Sequence, residues 1–212
     1  MLKWIALITM TIDHLGAVFF PENVSMRIIG RISFPLYCYL LVLGLESSKK
    51  NPKSYFMRLF TFALISQVPY FLAFNYQPLE VFNIFFTLSL GLVSLLQPLL
   101  IPVGVLIAEV LRFDYGAYGI ALIGGMYVLK KNKRNGVVCL ILLNAVSILL
   151  WDIQIFSLLA LPLILLYQEV YLKIEHKAQR DMLYPAWRQY FFYIYYPLHL
   201  SILYILKSLA VK

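Results

Sequence analysis

Apolar residues run through this chain in blocks rather than in alternation. Segments near 2–20, 25–47, 55–74, 81–96, 98–111, 115–129, 136–150, 154–171 and 189–208 are nearly free of charge, and polar or basic residues fill the gaps. Blocks close to the ~20 residues that cross a hydrocarbon core predict transmembrane helices, although several here are shorter. The 81–96 and 98–111 pieces, separated by Gln97-Pro98, read either as two tilted helices or as one broken hairpin. Pro35, Pro69, Pro102, Pro162 and Pro197 fall inside or near the ends of blocks, where they kink helices or free carbonyls to line a cavity. The pattern predicts an all-α fold, a polytopic transmembrane helical bundle of about eight to nine spans, with residues 1–212 forming a single domain.

Composition agrees with the pattern. The 212 residues are 62% hydrophobic and 13% charged, about half the charge of an ordinary soluble domain. Net charge is +8. In so apolar a chain, basic residues set topology and meet anionic headgroups rather than nucleic acid, so no nucleic-acid partner is expected. Cys38 and Cys139 lie in separate blocks without metal or redox spacing and read as packing residues. The first block resembles a signal peptide only superficially. Asp13 and His14 interrupt it and no small-x-small site follows, so it reads as a retained first helix.

The basic residues also set orientation. Most fall at Lys3, at Lys49, Lys50, Lys53 and Arg58, at Lys130, Lys131, Lys133 and Arg134, and at Lys173, Lys177, Arg180 and Arg188. Nine spans with a cytoplasmic N-terminus put all of these on one side, as the positive-inside rule requires, and place the C-terminus outside. Merging one pair of segments would reverse the C-terminus.

Against this background the charges inside the blocks stand out, because an ionisable group within a span costs several kcal/mol, ~2.5–3.5 at the centre on insertion scales. Asp13-His14 lies within the first block. Lys3 and His14 are eleven positions apart, close to three helical turns, so they share a face ~16 Å apart along the axis. Asp13 points ~100° away and is free to meet an arginine of the next helix. That helix supplies Arg27 and Arg31 at i and i+4. Arg27 fits either an outer headgroup anchor or a site group. Arg31, a turn deeper, fits a partner for Asp13, a holder of substrate negative charge, or both. Glu46 reads as an interfacial charge. In the last block, tyrosines 190–196 suit an interfacial belt, but His199, just beyond Pro197, lies too deep for one and is open to a structural or a cavity role. Gln67, Asn83, Asp114 and Asp152 are weaker polar candidates. No His/Cys/Asp/Glu cluster has local metal spacing, so no metal is expected, and neither a phosphate-cradling glycine loop nor a nucleophile elbow is present.

Taken together, several stretches carry a family resemblance. They are Lys3-Trp4-Ile5-Ala6-Leu7 with Met10-Thr11-Ile12-Asp13-His14-Leu15-Gly16, Arg27-Ile28-Ile29-Gly30-Arg31-Ile32-Ser33-Phe34-Pro35, Arg58 to Pro69, Asn83-Ile84-Phe85-Phe86-Thr87-Leu88, Asp114-Tyr115-Gly116-Ala117-Tyr118-Gly119, and Tyr196-Pro197-Leu198-His199. In this order, over nearly the whole chain, they resemble the TraX family. The resemblance implies a bacterial inner-membrane protein, since the name-giving members acetylate the N-terminus of conjugative pilin. It also implies kinship with membrane acyltransferases that carry acyl groups from cytoplasmic acyl-coenzyme A to acceptors at the outer face. That class places ten residues between a basic residue and a histidine in the first helix, as lie between Lys3 and His14. Gln67 departs from the family pattern, standing where the resemblance implies an acid in many relatives, so no role of that carboxylate carries over.

The expectation is therefore an integral-membrane acetyltransferase with acetyl-CoA as donor and a pilin N-terminus, glycan or other envelope amine or hydroxyl as acceptor. Lys3, Lys49, Lys50, Lys53 and Arg58 would hold acetyl-CoA. His14 would act as general base, Asp13 would orient the site through Arg31, and His199 or the backbone opened at Pro197 would donate to the oxyanion. Arg27, Asn83 and Asp114 would contact the acceptor. Direct transfer and an acetyl-histidine route are both open. Intramembrane charges equally serve a proton-coupled transporter or flippase, although no inverted repeat is visible. A structural partner of a secretion or conjugation machine is the third reading.

Overall fold

Asparagines open four of the helices. Asn23, Asn51, Asn83 and Asn132 each accept a backbone N–H of the first turn through the side-chain oxygen, which satisfies a donor that the helix itself leaves orphaned. The structure, a computed structural model, describes residues 1–48, 51–149, 153–178 and 186–210, with backbone alone at 171–178 and 186–189. The blocks become α1 (Leu2–Phe19), α2 (Val24–Gly30), α3 (Ser33–Ser47), α4 (Pro52–Phe74), α5 (Ile84–Leu96), α6 (Ile101–Val110), α7 (Gly116–Lys131), α8 (Lys133–Ser147), α9 (Ala160–Ala178) and α10 (Ala186–Ala210). Short 3₁₀ turns, Pro98–Leu100 and Gln154–Leu159, precede α6 and α9. Among the described residues, extended structure is limited to one isolated bridge between Phe82 and Phe113.

One departure from the expected blocks, and one choice between the arrangements they allowed, shape the molecule. The 25–47 block breaks between Gly30 and Ser33. Pro35 has no N–H for the carbonyl of residue 31 and its ring crowds that carbonyl, so the helix yields four residues upstream of the proline. The 81–96 and 98–111 blocks fold back on each other as α5 and α6. A Cβ on Gly104 would meet Ser94 Oγ at 2.7 Å, and the Phe82–Phe113 bridge ties the start of α5 to the end of α6. The chain therefore returns to the level it left, and of the two expected arrangements the pair takes the hairpin rather than two tilted helices. At 13 and 10 residues its arms are ~20 and ~15 Å long, short of a ~30 Å hydrocarbon core.

Three stretches, Leu2–Phe19, Val24–Ser47 and Pro52–Phe74, are long and apolar enough to cross a bilayer, and shorter apolar helices accompany them. The outer face of α10 suits lipid as well. On α10, Ile194, Leu198, Ile202 and Ile205 are each about half exposed, whereas Tyr196, His199, Leu200 and Leu203 on the opposite face are buried. Such a stripe costs free energy in water and none against hydrocarbon. Inside, Phe34, Leu36, Tyr39, Leu92, Leu122 and Ile123 form a continuous core. α10 packs on α4 and α1, while α1 also packs on α2 and α3. This arrangement brings the second halves of α1 and α10 face to face.

Candidate functional site

The charged pair of α1 points in two directions, as its 100° offset requires. Asp13 is buried and turned toward α2. Its Oδ1 accepts from Arg27 Nη1 at 2.8 Å and Arg31 Nη2 at 3.3 Å. Arg27 also donates to the Asp13 carbonyl, and Arg31 Nη1 to Gln154 Oε1 at 3.3 Å. One carboxylate thus holds two guanidinium groups, Arg27 on α2 and Arg31 at its C-cap, whose i,i+4 spacing brings both to the same side. The contact depends on Gly30, where a Cβ would sit 2.1 Å from Asp13 Oδ1.

His14 turns toward α10. Its Nδ1 lies 2.7 Å from His199 Nε2, with the rings stacked at 5.0 Å and 8°. His199 Nδ1 lies 2.9 Å from the Tyr195 carbonyl, and the Tyr195 ring stacks on His199 at 5.0 Å. The Tyr195 hydroxyl returns to Thr11 Oγ1 at 2.8 Å. With both imidazoles neutral, a single tautomer pattern satisfies this chain. A carbonyl only accepts, so His199 carries its proton on Nδ1. Its Nε2 then accepts from His14 Nδ1–H, and His14 Nε2 is left as a lone pair. This leaves His199 with no free N–H for an oxyanion.

His14, Asp13, Arg27, Arg31 and Asp114 line one cavity of about 160 Å³, walled also by Ser33, Phe34 and tyrosines 37, 70, 76, 115 and 196. Asp114 comes from the turn between α6 and α7, whose backbone is strained. Arg112, Tyr115 and Gly116 all have positive φ, 65° at Tyr115, a conformation that costs a bulky residue about 1–3 kcal/mol. The Tyr115 ring stacks on Phe34 at 3.9 Å beneath Arg31, and the Asp114 carbonyl accepts from Thr87. Burial raises the Asp114 carboxyl to about 6; the charge of Asp13 adds to the rise, and Arg31 and Arg27 oppose it.

The remaining candidates stand elsewhere. Asn83 is fully buried away from the cavity. Its amide donates to Ala63 O and Gln67 Oε1 and accepts from Phe85 N. Gln67 in turn donates to Val81 O at 2.8 Å, which an ionised acid at this position would be unable to do. Lys3 is exposed, with Nζ 5.5 Å from the Phe192 ring. Arg58, half-buried, donates to Ser54 and faces Tyr55 and Tyr193. Lys53 is exposed at the start of α4. Lys3 and Arg58 thus meet one step of α10, Phe192-Tyr193, seven residues or ~10 Å before His199. Lys49, Lys50 and Asp152 lie outside the described residues, as do the side chains of Lys173, Lys177, Arg180 and Arg188. Among the described residues no group of three or more His, Cys, Asp or Glu is placed to hold a metal ion. Sequence reasoning missed the tyrosine wall and Gly30. The Gly between two arginines was the available signal for Gly30, whereas tyrosines beside Pro197 look the same in an interfacial belt.

A family model described as TraX protein matches residues 1–207. A protein of Dichelobacter nodosus named "Probable fimbrial assembly protein FimC, serogroup H1" is 27% identical over 95% of this chain and 92% of its own length. An uncharacterized protein of Rickettsia prowazekii is 54% identical over 39 residues, 18% of this chain and 16% of its own. No solved structure matches.

Proposed function

The chain belongs to the TraX family, and from that premise we propose that it is an integral-membrane acetyltransferase, multi-pass in the bacterial cytoplasmic membrane with a cytoplasmic N-terminus. Acetyl-CoA is the donor. The acceptor is an amine or hydroxyl of an envelope component, and the fimbrial-assembly name of the Dichelobacter relative favours a pilus protein. One observation carries the reading. An imidazole with an unshared lone pair, fixed by a second imidazole, faces a cavity bounded by Arg27, Arg31 and Asp13 in a bundle of apolar helices.

In this reading Lys3, Lys53 and Arg58 hold the CoA phosphates, and the thioester reaches His14 about 10–16 Å away along α10 and α1. The acceptor nitrogen or oxygen attacks the thioester carbonyl carbon while His14 Nε2 takes its proton. The C–S bond breaks, coenzyme A leaves as thiolate, and the His14 proton passes to sulfur. His199 accepts from His14 Nδ1–H throughout, which fixes the tautomer and stabilises the transient imidazolium. The Asp13–arginine cluster shapes the acceptor end.

Purified protein in detergent with radiolabelled acetyl-CoA tests this. Slow thioester hydrolysis or self-acetylation is the expected result. An inert thioester, together with ligand flux in vesicles, would replace the enzyme reading with transport.

A further inference from the structure

The transfer reaction needs a donor for the carbonyl oxygen as it turns into an oxyanion, and His199 has both nitrogens engaged. We infer that the Tyr196 hydroxyl supplies that hydrogen bond; this rests on the acetyltransferase reading and adds a catalytic residue to it. Buried side-chain polar atoms without a hydrogen bond among the described residues are few: Tyr39 Oη, Arg58 Nε, Ser66 Oγ, Gln154 Nε2 and Tyr196 Oη. Of these residues, Tyr196 alone lines the cavity that holds His14. It is only 3% exposed. The backbone N–H of Ile84, at the start of α5, is directed at its oxygen, so what lacks a partner is the O–H proton, and a buried donor without an acceptor costs about 1–3 kcal/mol and calls for an explanation.

Its surroundings fit the role. Tyr196 and His199 are three residues apart and share one face of α10. The Tyr196 ring meets the His14 ring edge-on at 6.0 Å, the His199 ring at 5.5 Å and the Phe85 ring at 5.1 Å. A phenol fixed by aromatic neighbours is preorganised, so it stabilises developing charge without reorganising at the moment of reaction. The cavity's arginines are committed to Asp13, the Asp13 carbonyl and Gln154. In the step, the nucleophile adds to the carbonyl carbon, the C=O π electrons move to oxygen, and Tyr196 O–H donates to that oxygen without losing its proton. When the oxyanion collapses and the C–S bond breaks, the hydrogen bond relaxes to its weaker ground-state form.

Tyr196→Phe keeps the ring and removes the donor. With acetyl-CoA and water as the acceptor, free coenzyme A thiol reports turnover. The expected result is a 10²–10³-fold fall in kcat, with KM for acetyl-CoA within about twofold and the melting temperature in detergent unchanged or raised. Turnover within about threefold of wild type overturns the inference while leaving the enzyme reading intact. A melting temperature several degrees lower also overturns it, by making the hydroxyl structural. A wild type that releases no coenzyme A removes both.

Discussion

Gly30 controls the ion cluster without carrying a charge. A methyl group there would stand 2.1 Å from Asp13 Oδ1 and 2.3 Å from its Cβ, so turning the carboxylate away does not clear it. Gly30→Ala is expected to displace the carboxylate from both arginines and lower acetyl transfer ~10²-fold, the scale on which ~1 Å misplacements act. Activity within twofold of wild type, measured by coenzyme A release, would contradict that geometry. Asp114 gives a pH test. Its carboxyl titrates at about 6 in the folded protein against an ordinary 3.8. The folded state therefore keeps a proton that the unfolded chain has released, and stability falls as pH rises from ~4 to ~6, then levels off. Asp114→Asn should flatten thermal melting across that window, and an unchanged slope would contradict the shift. At this scale the sequence was partly legible. The i,i+4 arginines and the acid in α1 pointed to the Arg31–Asp13 pair. The His14–His199 bond joins residues 185 apart, and no local spacing encodes it. The tyrosines gave no signal because belt and cavity positions share one composition.

Helix ends carry the next lesson. Caps at Asn51 and Asn132 start α4 and α8 a turn before their apolar blocks begin, since capping chemistry rather than hydropathy decides where a helix starts. Breaks are set by proline: Pro35 splits the second block, and Gln97-Pro98 turns α5 back into α6. Both prolines were visible in the sequence. The hairpin of α5 and α6 was one of two arrangements the sequence allowed, and the choice between them depends on Gly104 meeting Ser94 across the turn. The α7–α8 hairpin relies on the same device. A Cβ at Gly136 would come within 2.1 Å of Leu129 Cα, a clash with backbone that no rotamer relieves. Gly136→Ala should lower stability in detergent by about 1–3 kcal/mol, the usual cost of overpacking. An unchanged melting temperature would mean the two helices do not approach as closely as described.

For the molecule as a whole, apolar blocks with charge at their edges made the helical membrane fold legible, because lipid demands helices whose outer faces are hydrocarbon. How the blocks pack was less legible, since every outer face reads alike, and packing is what converts scattered intramembrane charges into a site. Lys3 and His14 share a face of α1, with the basic group at one end and the cavity toward the other. That polarity suits a donor and an acceptor arriving from opposite sides. The decisive measurement is transfer of radiolabel from acetyl-CoA by liposome-reconstituted wild type and His14→Ala, with equal insertion verified. Labelled product or free acetate is expected from wild type, with a loss of at least ~10²-fold in the variant, the contribution typical of a positioned base. Comparable rates from both proteins would contradict the account.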